Sequence, residues 1–474
     1  MSDTHGELSP ETRASLLERL ADFTSDDDNT SPDELAKRFL HRRQYDRAVD
    51  PRVVILRGDR GAGKTALFRV ITSPAASALT NAESWWEGYA GTSAHPSGDV
   101  IESLTASTPD DRLLRTFWLT HLAGRLLHHD PTLPAWVPAG YEQAPGDPSS
   151  WLADADAQLG RIQSCLDQCE RALTDAGRTA TVAYDHLDRI GLTNPAARVR
   201  SASALMAIWL SLSGRYAAIR GKLFLRNDLY DAGLSQSADA SKLEARALDL
   251  AWSTQDLYRA LLRRLGAEDA LREWTLATLG DDSLVESGGA GWTPASPLPP
   301  EGSPSQKALA DGLAGEIMGR GVKKGYTYRW IPNHLQDGHG RIVPRSLFNL
   351  VRFAADHALE ASPRAVGRQL LHYTELQAAL VKTSDRRVDE LAEEYSVVKR
   401  VEALRGGMAP FSRSDALAKL DAGAGPGETR GEQLVDELIG IGVFTERKDR
   451  RLDLPDIYRY GLGVKRKGGS ARPK

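Results

Sequence analysis

The chain has 474 residues, enough to bury a sizeable core and to divide into two or three domains. Its formal net charge of −4 supplies no global basic field announcing a nucleic-acid partner, so any such contact must come from a local patch. No cationic-then-apolar leader is present and no apolar run approaches the roughly 20 residues that cross a bilayer, so the expectation is a soluble cytoplasmic protein without a membrane partner.

In chain order, Ser9-Pro10 opens a short amphipathic helix through Leu20, and the acidic run from Ser25 to Asn29 reads as a solvated linker. Ser31-Pro32-Asp33-Glu34 is a capping box that leads into a helix carrying Leu35, Phe39 and Leu40, stopped by Pro51. An apolar strand beginning at Val53 then runs into Gly58-Asp59-Arg60-Gly61-Ala62-Gly63-Lys64-Thr65, followed by a helix with apolar residues at helical spacing. Strand, Gly-x-x-x-x-Gly-Lys-Thr and helix together are the context of a P-loop. Gly58, Gly61 and Gly63 let the loop, with Asp59, Arg60 and Ala62, turn its amides inward, and the helix points its positive end at bound phosphates. Lys64 would bind the β- and γ-phosphates and Thr65 would ligate Mg²⁺. Phe39 and Tyr45 are candidates to pack on an adenine, with plain core packing as the alternative.

Past this helix, Trp85, Trp86 and Tyr89 stand in an irregular stretch and read as local core, since no basic residues interleave with them. Val100 to Leu104 reads as a strand, Asp110 to His128 as a helix, Pro131 to Pro148 as a loop, and Trp151 to Ala176 as a helix. That last helix holds the two cysteines, Cys165 and Cys169, which lack companions at metal-ligand spacing and read as reduced thiols. A strand from Thr179 to Tyr184 ends in Asp185-His186-Leu187-Asp188-Arg189, and a helix follows from Pro195 to Tyr216. Another strand, Lys222 to Leu225, ends in Arg226-Asn227-Asp228, then Ala247 to Trp252 gives a further strand and Thr254 to Leu265 a helix. Such alternation predicts an α/β fold with a parallel sheet covered on both faces.

Gly, Pro and Ser dominate residues 286–305, predicting a flexible insertion. Helices are expected at Ala308 to Met318, Pro344 to Leu359, Arg364 to Lys382 and Asp389 to Glu402. In the last eighty residues, helices at Ser412 to Leu420 and Glu432 to Ile439 precede a hairpin formed by residues 442–447 and 451–454, the order of a winged helix. Arg447, Lys448, Arg450, Arg451 and Lys465 to Lys467 make that end locally basic.

Hydrolysis needs an acid for the metal and a positioned water. Asp185 ends an apolar strand, where parallel sheets place their ligands, and would hold Mg²⁺ opposite Thr65, the two coming from neighbouring strands. Asp188 could orient or deprotonate water, with an ion pair to Arg189 or Arg226 as the competing role. Arg226 could stabilise the γ-phosphate, or form a salt bridge to Asp228 or Asp185. Arg345, at a helix start, could reach the same phosphate across a domain cleft.

The order of P-loop, Asp-His-Leu-Asp-Arg, Leu-Arg-Asn-Asp, Leu-Asp-Leu-Ala-Trp, Pro-Arg-Ser-Leu and terminal winged helix resembles the AAA+/STAND ATPases. The match is nearest to the KAP-like group, and the archaeal origin-recognition ATPases share the order of domains. The resemblance covers the chain from about Phe39 onward, and the expected units are an N-terminal helix and linker (1–30), a P-loop ATPase domain (31–270), an insertion with a helical lid (271–383) and a winged-helix domain with a basic tail (384–474). It implies ATP and Mg²⁺ at Lys64, Thr65 and Asp185, a water-orienting Asp188, a sensing Arg226 and a lid Arg345. The acid is not doubled as Asp-Glu, which points to slow hydrolysis, and no Asn-Lys-x-Asp signature favours GTP. The expected activity is therefore that of an ATP-driven switch acting on a protein effector or on self-association, in bacterial defence or regulation. An ATP-dependent DNA-binding protein and a small-molecule phosphotransferase are the alternatives. Arg189, Arg263 and Arg264 are open candidates for a contact across a subunit interface.

Overall fold

A computed structural model describes residues 7–23, 30–73, 84–91, 96–107, 110–190, 194–235, 237, 239–286, 292–294, 304–361, 367–425 and 429–467. The expected acidic linker at Ser25 to Asn29 lies outside them, as do most of the expected insertion and the end of the basic tail.

Five strands, β1 (Ile55–Gly58), β2 (Ser84–Tyr89), β3 (Ala180–Tyr184), β4 (Ile219–Arg226) and β5 (Ala247–Asp249), form one sheet in the order β2-β3-β4-β1-β5. Every pairing in it is parallel. Parallel neighbours require crossovers, and helices provide them on both faces. Because strand side chains alternate, Ile55, Val182, Tyr184, Leu223 and Leu225 join one layer while Leu56, Ala183, Phe224 and Leu248 join the other. The fold is thus a mixed α/β architecture with a parallel sheet flanked by helices.

The helices that matter for the argument are α1 (Pro10–Ala21), α2 (Pro32–Arg38), α3 (Lys64–Thr72), α4 (Asp111–His129), α5 (Leu159–Asp175), α6 (Pro195–Arg215), α7 (Thr254–Gly266), α8 (Pro344–Glu360), α9 (Tyr373–Glu394), α10 (Arg413–Ala422) and α11 (Gly431–Gly440). The first sheet face is covered by α4, α5 and α6, and the second by α3 through Leu67, Phe68 and Ile71. Seating α6 on the sheet depends on Gly221 in β4, where an added Cβ would lie 2.1 Å from the Trp209 ring. Gly221→Ala should therefore lower stability by about 1–3 kcal/mol or more through overpacking. Urea denaturation of the purified chain would read this, and an unchanged midpoint would contradict the packing.

A second core joins the two ends of the chain. Leu16, Leu17 and Leu20 of α1 pack in the same cluster as residues of α7, α8 and α9. Arg13 of α1 donates to the Leu370 carbonyl at 2.9 Å and pairs with Glu375 at 3.3 Å. The N-terminal helix is therefore built into the helical region instead of standing apart as a unit of residues 1–30.

Several expected elements differ. Val100 to Leu104 lies inside a helix, Gly98–Ser107, whose buried Ile101 and Thr105 are four residues apart as a helix face requires. Trp85, Trp86 and Tyr89 belong to the edge strand β2 instead of an irregular stretch. The helix expected through Phe39 and Leu40 ends at Arg38, and a separate helix, Arg43–Ala48, precedes β1. The helix expected from Trp151 breaks at Gln158. Across the start of the expected insertion, Leu284–Glu286 pairs antiparallel with Trp292–Pro294.

Among the described residues, the helices expected at Arg364 to Lys382 and Asp389 to Glu402 merge into α9, which crosses the boundary placed at 383/384 without a break. Ser384 would ordinarily compete for nearby backbone, but its hydroxyl donates to the distant Ile457 carbonyl at 2.6 Å and leaves the helix ladder intact. After Glu394 the chain tightens into a 3-10 turn, Ser396–Leu404. The end of the chain holds α10, α11 and the hairpin Thr445–Glu446 with Leu452–Asp453, to which Phe411 adds a bridge at Leu452. No helix among the described residues is long and apolar enough to cross a membrane.

Candidate functional site

The sheet delivers the candidate residues to one rim. Parallel strands share a direction, so β1, β3 and β4 all release their chains at the same edge, as Gly58, Asp185 and Arg226. Gly58 stands in register with Arg226. The sequence placed Gly58 and Asp185 on neighbouring strands; they are not, because β4 lies between β1 and β3. Inserting β4 places Arg226 between the loop and the acid.

From Gly58 the chain turns into α3. Gly61 and Gly63 take φ of +82° and +88°, the left-handed region that only glycine enters freely, whereas Gly58 does not. Gly58 is instead close-packed, with a Cβ position 3.2 Å from that of Ala62. Gly63 is the N-cap of α3 and offers no side chain to the first-turn amides, leaving that helix end suited to an anion. Asn227 donates to Asp59 at 2.6 Å and the Trp252 indole donates to the Ala62 carbonyl at 2.8 Å, which fix the loop from behind.

Lys64 folds back over its own loop, donating to the Gly58 carbonyl at 2.8 Å and the Asp59 carbonyl at 3.1 Å. Burial pushes its pKa down against the attraction of Glu394, Asp185 and Asp188. Asp185 is 3% exposed, and burial raises its pKa, opposed by His186 and by a hydrogen bond from the Thr65 hydroxyl. Thr65 and Asp185 therefore touch, as a shared metal would need. The Asp185 Oδ2 atom is buried and accepts no hydrogen bond, with His186 Nε2 at 3.7 Å. Buried carboxylate oxygens are ordinarily satisfied, so this orphan marks a place for a cation. The donor set of one hydroxyl and one carboxylate suits a hard ion that keeps waters and phosphate oxygens, the habit of Mg²⁺.

Asp188 and Arg226 form the ion pair that stood as one of their alternatives, and Arg226 also pairs with Asp228 as expected. Arg226 binds Asp228 in a fork, Nε at 2.9 Å and Nη2 at 2.6 Å, and donates from Nη1 to Asp188 at 3.3 Å. Both side chains also line the cavity in front of the loop. Although burial opposes ionisation of Asp188, Arg226, Lys64 and His186 hold its pKa below the usual carboxylate value. Arg345, at the start of α8, does reach the loop: its Cβ is 2.8 Å from where a side chain on Gly61 would begin.

The cavity itself is bounded by Arg60, Gly61, Gly63, Lys64 and Thr65 from the loop, while Gly58, Asp59 and Ala62 lie behind it. Apolar and aromatic side chains, Leu35, Phe39, Tyr45, Trp252 and Phe348, also line it, together with Arg38 and Arg264. The Phe39 and Tyr45 rings stack at 5.3 Å, and the Arg42 guanidinium sits over Tyr45 at 4.6 Å and Trp252 at 3.8 Å. Phe39 and Tyr45 are thus both packed and cavity-lining. Charged and aromatic side chains in one cleft suit a ligand that carries both an anionic and an apolar part.

Sequence reasoning missed Trp252, Phe348 and Glu394. The first two sit on elements far along the chain, and Glu394 carried no motif. Yet Glu394 is buried 3.6 Å from the Arg226 Nε. Of the arginines held open for a contact in trans, Arg263 is buried and donates to the Trp292 and Ala36 carbonyls, and Arg264 lies over Phe23 and Phe348. Both contact this chain's own residues, and Arg264 and Arg189 also line the cavity.

No protein-family model and no curated protein matches the chain. Among solved structures, it is similar to the Walker-type ATPase paby2304 of Pyrococcus abyssi at 13% identity and a TM-score of 0.40, over 90% of this chain and 96% of that one. It is also similar to the Aeropyrum pernix ORC2 protein (13% identity, 86% of this chain and 88% of that one, TM-score 0.30). A third is the Aeropyrum pernix ORC1 protein in complex with DNA (10% identity, 86% of each chain, TM-score 0.34). Likenesses of this strength assign no family, and the functional reading rests on the site's own geometry.

Proposed function

We propose that this protein is a P-loop ATPase of the AAA+/STAND type that binds ATP with Mg²⁺ and works as a slowly hydrolysing switch. The observation that carries the reading is the contact of the Thr65 hydroxyl with the buried, half-satisfied Asp185 carboxylate, directly beside a helix end capped only by Gly63. In this reading the triphosphate lies on the loop amides and Lys64, and the base lies against the apolar lining to which Phe39, Tyr45 and Trp252 contribute. Thr65 and Asp185 hold the ion, which when bound neutralises charge on the β- and γ-phosphates. Asp188, pinned by Arg226, orients the attacking water, and Arg226 faces the γ-phosphate. Arg345 brings the helical lid to the same phosphate, so that nucleotide state alters the lid and, through it, what the C-terminal region binds.

We read the C-terminal region as a winged helix that serves a protein partner or self-association. Support comes from its charges. The second helix, α11, would face a DNA groove, yet it carries Glu432, Asp436 and Glu437. The hairpin arginines are also engaged internally: Arg447 with Asp453 at 2.8 Å, Arg450 with Glu446 at 3.3 Å and Arg451 with Asp449 at 2.6 Å. Counterion release on DNA would first have to break these pairs.

Product analysis tests the reading. Purified protein with ATP and Mg²⁺ should yield only ADP and inorganic phosphate, slowly, and ATP should outcompete GTP. A phosphorylated third product would support a phosphotransferase instead, and equal preference for GTP would overturn the base assignment.

A further inference from the structure

Three arginines line the phosphate end of the cavity from three different elements: Arg60 in the loop, Arg226 at the end of β4 and Arg345 at the start of α8. Each is held by a different carboxylate from the last turn and a half of α9. Arg60 is hydrogen-bonded to Glu393, Arg226 lies 3.6 Å from Glu394, and Arg345 lies 3.8 Å from Glu390. On the same stretch Arg387 donates to the Arg60 carbonyl at 3.2 Å. Glu394 Oε1 is buried without a hydrogen bond, and its side chain is 2% exposed. Burial pushes the pKa of Glu394 up to about 7, against the pull of Arg226, Arg387 and Lys64. An orphaned, desolvated carboxylate next to an arginine already shared by Asp228 and Asp188 is a poor resting arrangement, and one that an alternative anion would displace.

We propose that Glu390, Glu393 and Glu394 form an acidic latch that occupies the cavity arginines when no triphosphate is bound, and that the γ-phosphate releases α9 by competing for them. The inference rests on the nucleotide reading above and adds to it the group that distinguishes ATP from ADP. A diphosphate would satisfy the loop amides and Lys64 while leaving Arg226, Arg345 and Arg60 to the latch. A triphosphate brings a further oxyanion to those arginines, where three carboxylates and a phosphate cannot all remain.

Release would be transmitted, because α9 is also bolted to the C-terminal region. The Ser384 hydroxyl donates to the Ile457 carbonyl at 2.6 Å and accepts from the Gly461 amide at 2.7 Å. Gly461 is pressed against α9 so closely that a Cβ there would lie 2.6 Å from the Asp385 carboxylate. Movement of the latch therefore moves the segment that carries α10, α11 and the hairpin.

The experiment uses the full chain with Glu390, Glu393 and Glu394 all changed to Gln, which keeps their shape and removes the charge. Two readouts are taken. Amide hydrogen exchange without nucleotide should rise in residues 385–396 of the variant relative to wild type, and ATP should produce the same rise in wild type while ADP does not. Calorimetric titration should show ATP affinity raised at least tenfold in the variant, with ADP affinity changed by less than threefold. Wild-type protein that binds ATP but shows neither the exchange difference nor the affinity gap would overturn the latch and leave the nucleotide site standing. Faster exchange in the nucleotide-free variant, with no ATP bound by either protein, would overturn the triphosphate trigger together with the nucleotide reading.

Discussion

Lys64→Ala is expected to abolish measurable ATP binding while leaving the protein folded. The ammonium satisfies two loop carbonyls, Gly58 and Asp59, and both can turn to water once it is gone. A bound triphosphate, by contrast, would lose the ammonium that reaches its β- and γ-phosphates. Removing one partner of a buried, hydrogen-bonded charge pair costs about 2–5 kcal/mol, or roughly 30- to several-thousand-fold in affinity. Circular dichroism would confirm the fold, and calorimetric titration the loss. Affinity within about threefold of wild type would remove Lys64 from the site.

The second large effect is expected at Asp185. Asp185→Asn should lower hydrolysis by about 10²–10³-fold, the scale of losing a group that organises transition-state charge. It should also make ATP affinity indifferent to Mg²⁺. Stability should move the other way. Burial raises the folded-state pKa of Asp185 above its unfolded value, so the ionised carboxylate is a penalty on folding that is complete once the pH exceeds the folded pKa. The amide does not ionise, so above that pKa the variant should melt at or above the wild-type temperature, with a flatter dependence on pH. Lost turnover with retained or increased stability separates a functional carboxylate from a structural one. A fall in melting temperature with normal, Mg²⁺-dependent turnover would contradict the role given to this residue.

Much of the site could be read from the sequence because its signals are local. Gly58 to Thr65 carries its own geometry in three glycines, and Asp185 and Arg226 are legible as the polar residues that end apolar strands. The sheet followed from alternation of strand and helix, although its order did not. The insertion of β4 between β1 and β3 depends on which edges meet in three dimensions, and no local pattern encodes it. Short apolar runs were ambiguous for the same reason: five residues from Val100 fit a strand as well as a helix, and the neighbouring α6 settled the matter by burying Ile101 and Thr105 together. At the C-terminus the helix boundaries failed because Ser384 and its neighbours look like loop residues until Ile457 and Gly461 are brought to them. Glu394 was invisible for a plainer reason. In sequence it is one acid in a helix rich in acids, and only the fold shows it buried beside Arg226.

The central claim is that a triphosphate settles on the Gly58–Thr65 loop with its metal between Thr65 and Asp185. The most direct measurement is an equilibrium titration of the purified 474-residue chain with ATP, with and without Mg²⁺. Saturable one-to-one binding that tightens when Mg²⁺ is added, and loses that tightening in Asp185→Asn, is the expected result. The absence of saturable binding at millimolar ATP, with the metal or without it, would contradict the account.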